Sequence, residues 1–183
     1  MLVVAIVGMA GAGKSEVANI FESQGYTRIR FGDVTDGELK KAGLAVSEAN
    51  ERAMRESLRE KYGMDAYAKL NVPTIDSALG TSPVVVDGLY SWEEYVFLRD
   101  YYKTDLRVVA VWASPATRCA RLANRSVRPL TREETYSRDT AEIQNLNKGG
   151  PIALADYTIL NDKSLIDLER KSKEIIDVLK EQP

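Results

Sequence analysis

Gly8-Met9-Ala10-Gly11-Ala12-Gly13-Lys14-Ser15 is a glycine-rich turn that ends in a lysine and a hydroxyl. Its spacing, G-x-x-x-x-G-K-S, suits a loop whose backbone N–H groups converge on polyphosphate. Gly8, Gly11 and Gly13 let the backbone turn, and the N–H groups of Ala12 and its neighbours complete an anion cradle at a helix N-terminus. Lys14 would place a point charge near the β- and γ-phosphates, and the Ser15 hydroxyl is a ligand for Mg2+. A chance glycine turn is the competing explanation. The flanks oppose it, because an apolar strand precedes the loop and an amphipathic helix follows.

A second candidate is Asp87, which follows Val84-Val85-Val86. A carboxylate at the tip of a strand beside a phosphate loop can hold magnesium, directly or through water. A plain Asp-Gly turn is the alternative. Gly88 stands where motor-type ATPases carry glutamate, Tyr90 stands where a GTPase switch needs glycine, and Asn147-Lys148-Gly149-Gly150 lacks the final aspartate of a guanine motif. These absences count against both classes.

The third feature is a run of arginines. Arg118, Arg121, Arg125, Arg128 and Arg132 fall between Pro115 and Arg132, with no acid or lysine among them. Guanidinium groups suit bidentate phosphate contact and charge developing on a transferring phosphoryl group. We expect a flap over the nucleotide, spanning about residues 118–138. In it Arg121, Arg125 and Arg128 would act on the phosphates, and Arg118 would bind nucleotide or belong to a solvated basic face. Pro129 disfavours helix at Arg128, so two helices should flank a short loop. Arg52, Arg55 and Arg59 share one helix face. They either meet a second substrate or pair with Glu48, Glu51, Glu56 and Glu60 in solvent. Asp33 either orients a phosphoryl acceptor and takes its proton, or caps the helix that follows.

These side chains need a scaffold. Leu2–Val7 is continuously apolar, as for a central parallel strand covered on both faces. Thr27–Phe31 alternates and reads as an edge strand; Pro83–Asp87, Leu106–Trp112 and Tyr157–Leu160 read as further strands. Between the second and third lies a helical insertion, about residues 38–79. Ser91 with Glu94 and Thr131 with Glu134 are capping boxes, Ser114-Pro115 is an N-cap followed by N1, and Ser164 opens a C-terminal amphipathic helix. The alternation predicts a three-layer α/β fold with a parallel sheet, in one domain over residues 1–183.

Composition narrows the chemistry further. The 183 residues carry 25 Lys and Arg against 27 Asp and Glu, so no overall charge attracts nucleic acid or an anionic membrane. With no histidine and one cysteine, Cys119, a histidine proton shuttle and an intrachain disulfide are excluded. The apolar N-terminus is too short to span a bilayer and lacks a basic start, so a cytoplasmic protein is expected.

Taken together, Val4–Ser15, Gly32-Asp33, Val85–Ser91, Ala113–Arg125 and Ala155–Asp162 resemble the nucleoside monophosphate kinase group of P-loop proteins. The strongest likeness is to dephospho-coenzyme A kinase and the adenylate-kinase-related proteins similar to it. The resemblance implies a P-loop NTPase fold with a five-stranded parallel sheet in the order 2-3-1-4-5, a helical acceptor insertion and an arginine-rich lid. It implies ATP and Mg2+, with γ-phosphoryl transfer to a nucleotide-like small-molecule acceptor. Asn161 would lie beside the adenine, and Asp33 would face the acceptor. One departure is Tyr90, where the group commonly carries an arginine. The acceptor therefore stays open between dephospho-coenzyme A and a nucleoside monophosphate. A regulatory nucleotide-binding protein with slow hydrolysis is the reading from another class.

Overall fold

A computed structural model describes residues 1–126 and 128–181, and the backbone but not the side chain of Glu48. Val127, inside the expected lid, lies outside the described residues. The sheet comprises β1 (Val3–Val7), β2 (Thr27–Arg30), β3 (Val84–Asp87), β4 (Leu106–Trp112) and β5 (Tyr157–Leu160). All are parallel, in the order β2-β3-β1-β4-β5. The expected order is thus found, and β2 is an edge.

The apolar run in β1 follows from its central place. Val3, Ala5 and Val7 join one core cluster while Val4 and Ile6 join the other, so both faces of the strand are buried. The second cluster is closed by α1 (Lys14–Ser23) and α9 (Leu165–Glu181), through Val17, Phe21, Leu168 and Ile176. The first is covered by α4 (Ala66–Leu79) and α5 (Trp92–Tyr102), with Tyr67, Ile75 and Leu98 fully buried or nearly so. The expected insertion contains α2 (Asp33–Lys41), α3 (Glu48–Tyr62) and α4, so the first of these helices begins earlier than expected.

The caps form as their chemistry requires. Ser91 and Thr131 each complete a reciprocal capping box, and Ser114 caps α6 (Pro115–Ala123). After α6 the chain breaks where Pro129 predicts, with Arg128 at φ +53, and resumes as α7 (Arg132–Leu146). Asn147 at φ +48 turns the chain into the short α8 (Gly149–Ala153). No described helix is long and apolar enough to cross a membrane.

Candidate active site

The loop between β1 and α1 wraps tightly because two of its glycines meet neighbouring groups. Gly13 has φ +100, and a Cβ there would fall 2.4 Å from the Asn161 side-chain nitrogen. At Gly8 a Cβ would fall 2.3 Å from the Val111 carbonyl oxygen. Only glycine lets the backbone pass this close. Asn161, itself buried, donates to the Ala12 carbonyl at 2.8 Å, and so fixes the loop from the far side.

Gly11, Gly13, Lys14, Ser15, Arg121, Arg125 and Asn161 line a cleft of about 370 Å³ together with Glu16, Leu165 and Leu168. Its lining combines backbone and charged groups with two leucines, a mixture suited to a small polar ligand. Arg121 donates to the Asn161 carbonyl at 2.9 Å. The Lys14 ammonium donates to the carbonyls of Gly8 and Met9 at 2.8 and 3.1 Å. Burial, then the neighbouring Lys148, holds it down to about 7; Glu142 and Asp87 oppose the shift.

Asp87 is buried at the end of β3, in register with Arg30 and on the sheet face that Val85 presents to α1. A guanidinium engages it: Arg28 of β2 pairs with its carboxylate and also with Asn19 of α1. This partner is not legible from local spacing, since β2 and β3 are separated by the whole insertion. Ser15 and Asp87 offer oxygen donors of the kind a hard cation takes, and α1 carries the one towards the strand bearing the other.

Two of the expected arginines are committed elsewhere. Arg118 was expected at the nucleotide, but its side chain is only 6% exposed and forms a bidentate pair with Asp139 of α7 at 2.7 and 2.8 Å. It also donates to the carbonyls of Ala113 and Ala10 at 3.2 Å. It clamps the phosphate loop to the lid helix and is absent from the cleft lining. The reason is an acid invisible to local reading: Asp139 lies twenty-one residues away and about two turns into α7. Arg128 makes a bidentate pair with Glu51 of α3 at 2.8 and 3.0 Å, bridging lid and insertion. That pair holds the Glu51 carboxyl below its ordinary range.

On the acceptor side, Asp33 opens α2 and makes a half-exposed ion pair with Arg30 at 3.3 Å. The N-cap is Gly32, and no side-chain cap bond forms there, so the capping alternative finds no support. Arg52 pairs with Glu56 in solvent and Arg55 with Glu51, whereas Arg59 lies over the Tyr67 ring at 5.4 Å. Arg52 and Arg55 thus follow the ion-pair alternative, while Arg59 packs on an aromatic ring. Tyr90 packs edge-on to Tyr67, and burial drives its hydroxyl pKa well up.

Sequence reasoning missed a second lysine. Lys148 is 1% exposed, pairs with Glu142 at 2.8 Å, and stands 5.5 Å over the Tyr90 ring. A cation thus sits beside the tyrosine that replaces the expected arginine. The signal was present in Asn147-Lys148-Gly149, a lysine next to a residue able to turn left-handed, but only the tertiary fold aims it inward. Glu94 was also missed as anything beyond a cap. Burial lifts its carboxyl to about 7 despite N–H bonds from Tyr90 and Ser91, and one of its oxygens is buried without a partner.

The parallel order, the phosphate loop and the lid helices define a P-loop protein of kinase-like architecture. A family model described as an AAA domain matches residues 4–143. The chain is 33% identical to UPF0200 protein TK1334 of Thermococcus kodakarensis over 96% of its length and 97% of that protein's. It is 35% identical to a UPF0200 protein of Methanoculleus marisnigri over 90% of each. The chain belongs to the UPF0200 family. Among solved structures it is similar to TT1252 from Thermus thermophilus, with TM-score 0.66 and 23% identity over 97% of both chains. A shikimate kinase from Bacteroides thetaiotaomicron superposes with TM-score 0.62 at 12% identity over 98% of both. A dephospho-CoA kinase from Campylobacter jejuni superposes with TM-score 0.54 at 13% identity over 96% and 95%. At these identities the likeness is one of fold.

Proposed function

We propose that the protein is an ATP-dependent kinase that transfers the γ-phosphoryl group to a small nucleotide-like acceptor. The observation that carries this reading is the meeting of two surfaces at Lys14. The nucleotide cleft ends at its ammonium, which interacts electrostatically with Lys148, and Lys148 rests on Tyr90 beside the insertion. A γ-phosphate and a second molecule bound under α3 would meet there. A protein that only bound nucleotide would need no such second surface.

In this reading the loop N–H groups and Lys14 hold the polyphosphate, and Arg121 and Arg125 reach it from α6 and the segment after it. Ser15 and Asp87 would hold magnesium, which offsets phosphate charge when bound; Arg28 would have to release part of Asp87 first. Transfer of this kind needs positioning and electrostatic stabilisation more than covalent help. Asp33 would orient the acceptor. Dephospho-coenzyme A is the first acceptor to try, because Asp33 stands where that resemblance wants it. A nucleoside monophosphate is the second, favoured by the cations Lys148 and Arg59 over the two tyrosines.

The test is one screen of ADP formation from Mg-ATP. It uses dephospho-coenzyme A, each nucleoside monophosphate, nucleosides and small sugars, with Lys14→Ala as control. Acceptor-dependent ADP that vanishes in the folded control supports the proposal. Slow ADP release indifferent to every acceptor would instead favour a nucleotide-dependent regulator.

A further inference from the structure

An ammonium that is 1% exposed is unusual, because desolvating a charge is costly unless partners replace water. Lys148 has three donors, yet its one hydrogen bond among the described residues goes to Glu142. The other close group is the Tyr90 ring, which offers its face. Glu142 in turn is gripped from two sides, by Lys148 at 2.8 Å and by Arg138 at 3.1 Å. It also interacts electrostatically with Lys14, whose charge Glu142 and Asp87 favour. One carboxylate thus pairs with Lys148 and Arg138 and lies within electrostatic reach of Lys14, which itself lines the cleft.

Backbone geometry holds this arrangement. Arg138 and Glu142 are one turn apart on α7 and share a face. Asn147 then adopts φ +48, and the Lys148 N–H donates back to the Glu142 carbonyl at 3.3 Å. The turn folds Lys148 under its own helix and aims it at Glu142. The middle of the helix is fixed by Asp139, which Arg118 clamps while it also donates to the Ala10 carbonyl. The clamp thus registers the cluster against the phosphate loop from the adjacent residue of α7.

A lysine and an arginine converging with the phosphate-loop lysine on one anion form a receptor for an oxyanion. Resting on the nucleotide reading above, we infer that Lys148 is a catalytic residue contacting the phosphoryl group in transfer, and that Glu142 occupies that group's place until nucleotide arrives. The carboxylate keeps three like charges together in the empty cleft, where alone they would repel. An incoming phosphoryl group offers more oxygens and more charge to the same donors, and displaces Glu142 towards solvent, to which it is already 12% exposed. Burial would raise the Glu142 carboxyl, but Lys148, Lys14 and Arg138 bring it to about 2, so the placeholder stays anionic throughout the physiological range.

The test compares Mg-ADP with Mg-AMPPNP, a non-hydrolysable ATP analogue, by calorimetry. Lys148→Met alone would strand a mostly buried carboxylate and could unfold the chain, so the informative variant combines Lys148→Met with Glu142→Gln. Its folding is checked by thermal melting. Measured against Glu142→Gln alone, the double variant should hold ADP affinity within about twofold and lose AMPPNP affinity roughly 10- to 100-fold, the worth of one hydrogen bond between charged groups. Glu142→Gln alone should do the opposite: inorganic phosphate should raise its melting temperature more than the parent's, because the competing anion is gone. A folded double variant that keeps the preference of Glu142→Gln for AMPPNP over ADP would overturn the inference and leave Lys148–Glu142 a structural ion pair. A parent that binds neither nucleotide would overturn the nucleotide reading itself.

Discussion

Replacing Arg118 by methionine tests whether it is a clamp or a nucleotide ligand. The guanidinium has 6% exposure and four polar contacts, two of them to Asp139, which keeps 20% exposure. Removing one member of a buried pair costs ~3–5 kcal/mol, mainly because the partner charge is stranded. Water reaches Asp139 in part, so the expected loss here is ~2–4 kcal/mol. For a chain of this size each kcal/mol lowers Tm by ~2–4 °C, which gives a fall of roughly 5–15 °C. The assay is thermal unfolding followed by circular dichroism at pH 7 without nucleotide. Adding Asp139→Asn removes the stranded charge and should recover half of the loss or more. A single variant melting within ~2 °C of the parent would refute the clamp, and would free Arg118 to serve the nucleotide as its sequence position suggested.

Three further outcomes are expected. Lys14 titrates near 7 in the folded chain against an ordinary 10.5. Between those values the unfolded chain binds more protons, so this lysine makes stability rise with pH across that window. A bound polyphosphate should restore the charge, so ADP binding at pH 8.5 should take up close to one proton; calorimetry in two buffers of different ionisation enthalpy reads it, and zero uptake would contradict the buried lysine. Asp87→Asn should raise half-saturating magnesium for nucleotide binding and also lower Tm, because Arg28 loses its partner; an unchanged magnesium titration would leave Asp87 only the structural pairing. Asp33→Asn should change stability by no more than ~1 kcal/mol, since its pair with Arg30 is half-exposed. With a hydroxyl acceptor it should cut turnover by about 10²–10⁴; a large drop in Tm with turnover unaltered would make Asp33 a structural residue after all.

The sequence by itself determined the strands, several helix starts and the phosphate loop. These depend on neighbours a few residues apart. The continuous apolar β1, the capping boxes at Ser91 and Thr131, and the break at Pro129 each carry their cause within one turn or strand. Loop glycines such as Gly8 and Gly13 were legible for the same reason, although what crowds them, Val111 and Asn161, is not local.

What only the tertiary structure decided was which charges meet. The arginine run contained no acid, so nothing in it showed which guanidinium an ion pair would take. Folding brought Asp139 to Arg118 and Glu51 to Arg128, and left Arg121 and Arg125 lining the cleft. In the same way Arg28 reached Asp87 across fifty-nine residues, and Lys148 reached Tyr90 and the neighbourhood of Lys14. Secondary structure is set by short-range sterics and hydrogen bonding, which sequence spacing encodes directly. Ion pairing is set by distance through space and by burial, which appear only once the sheet has ordered its strands as β2-β3-β1-β4-β5.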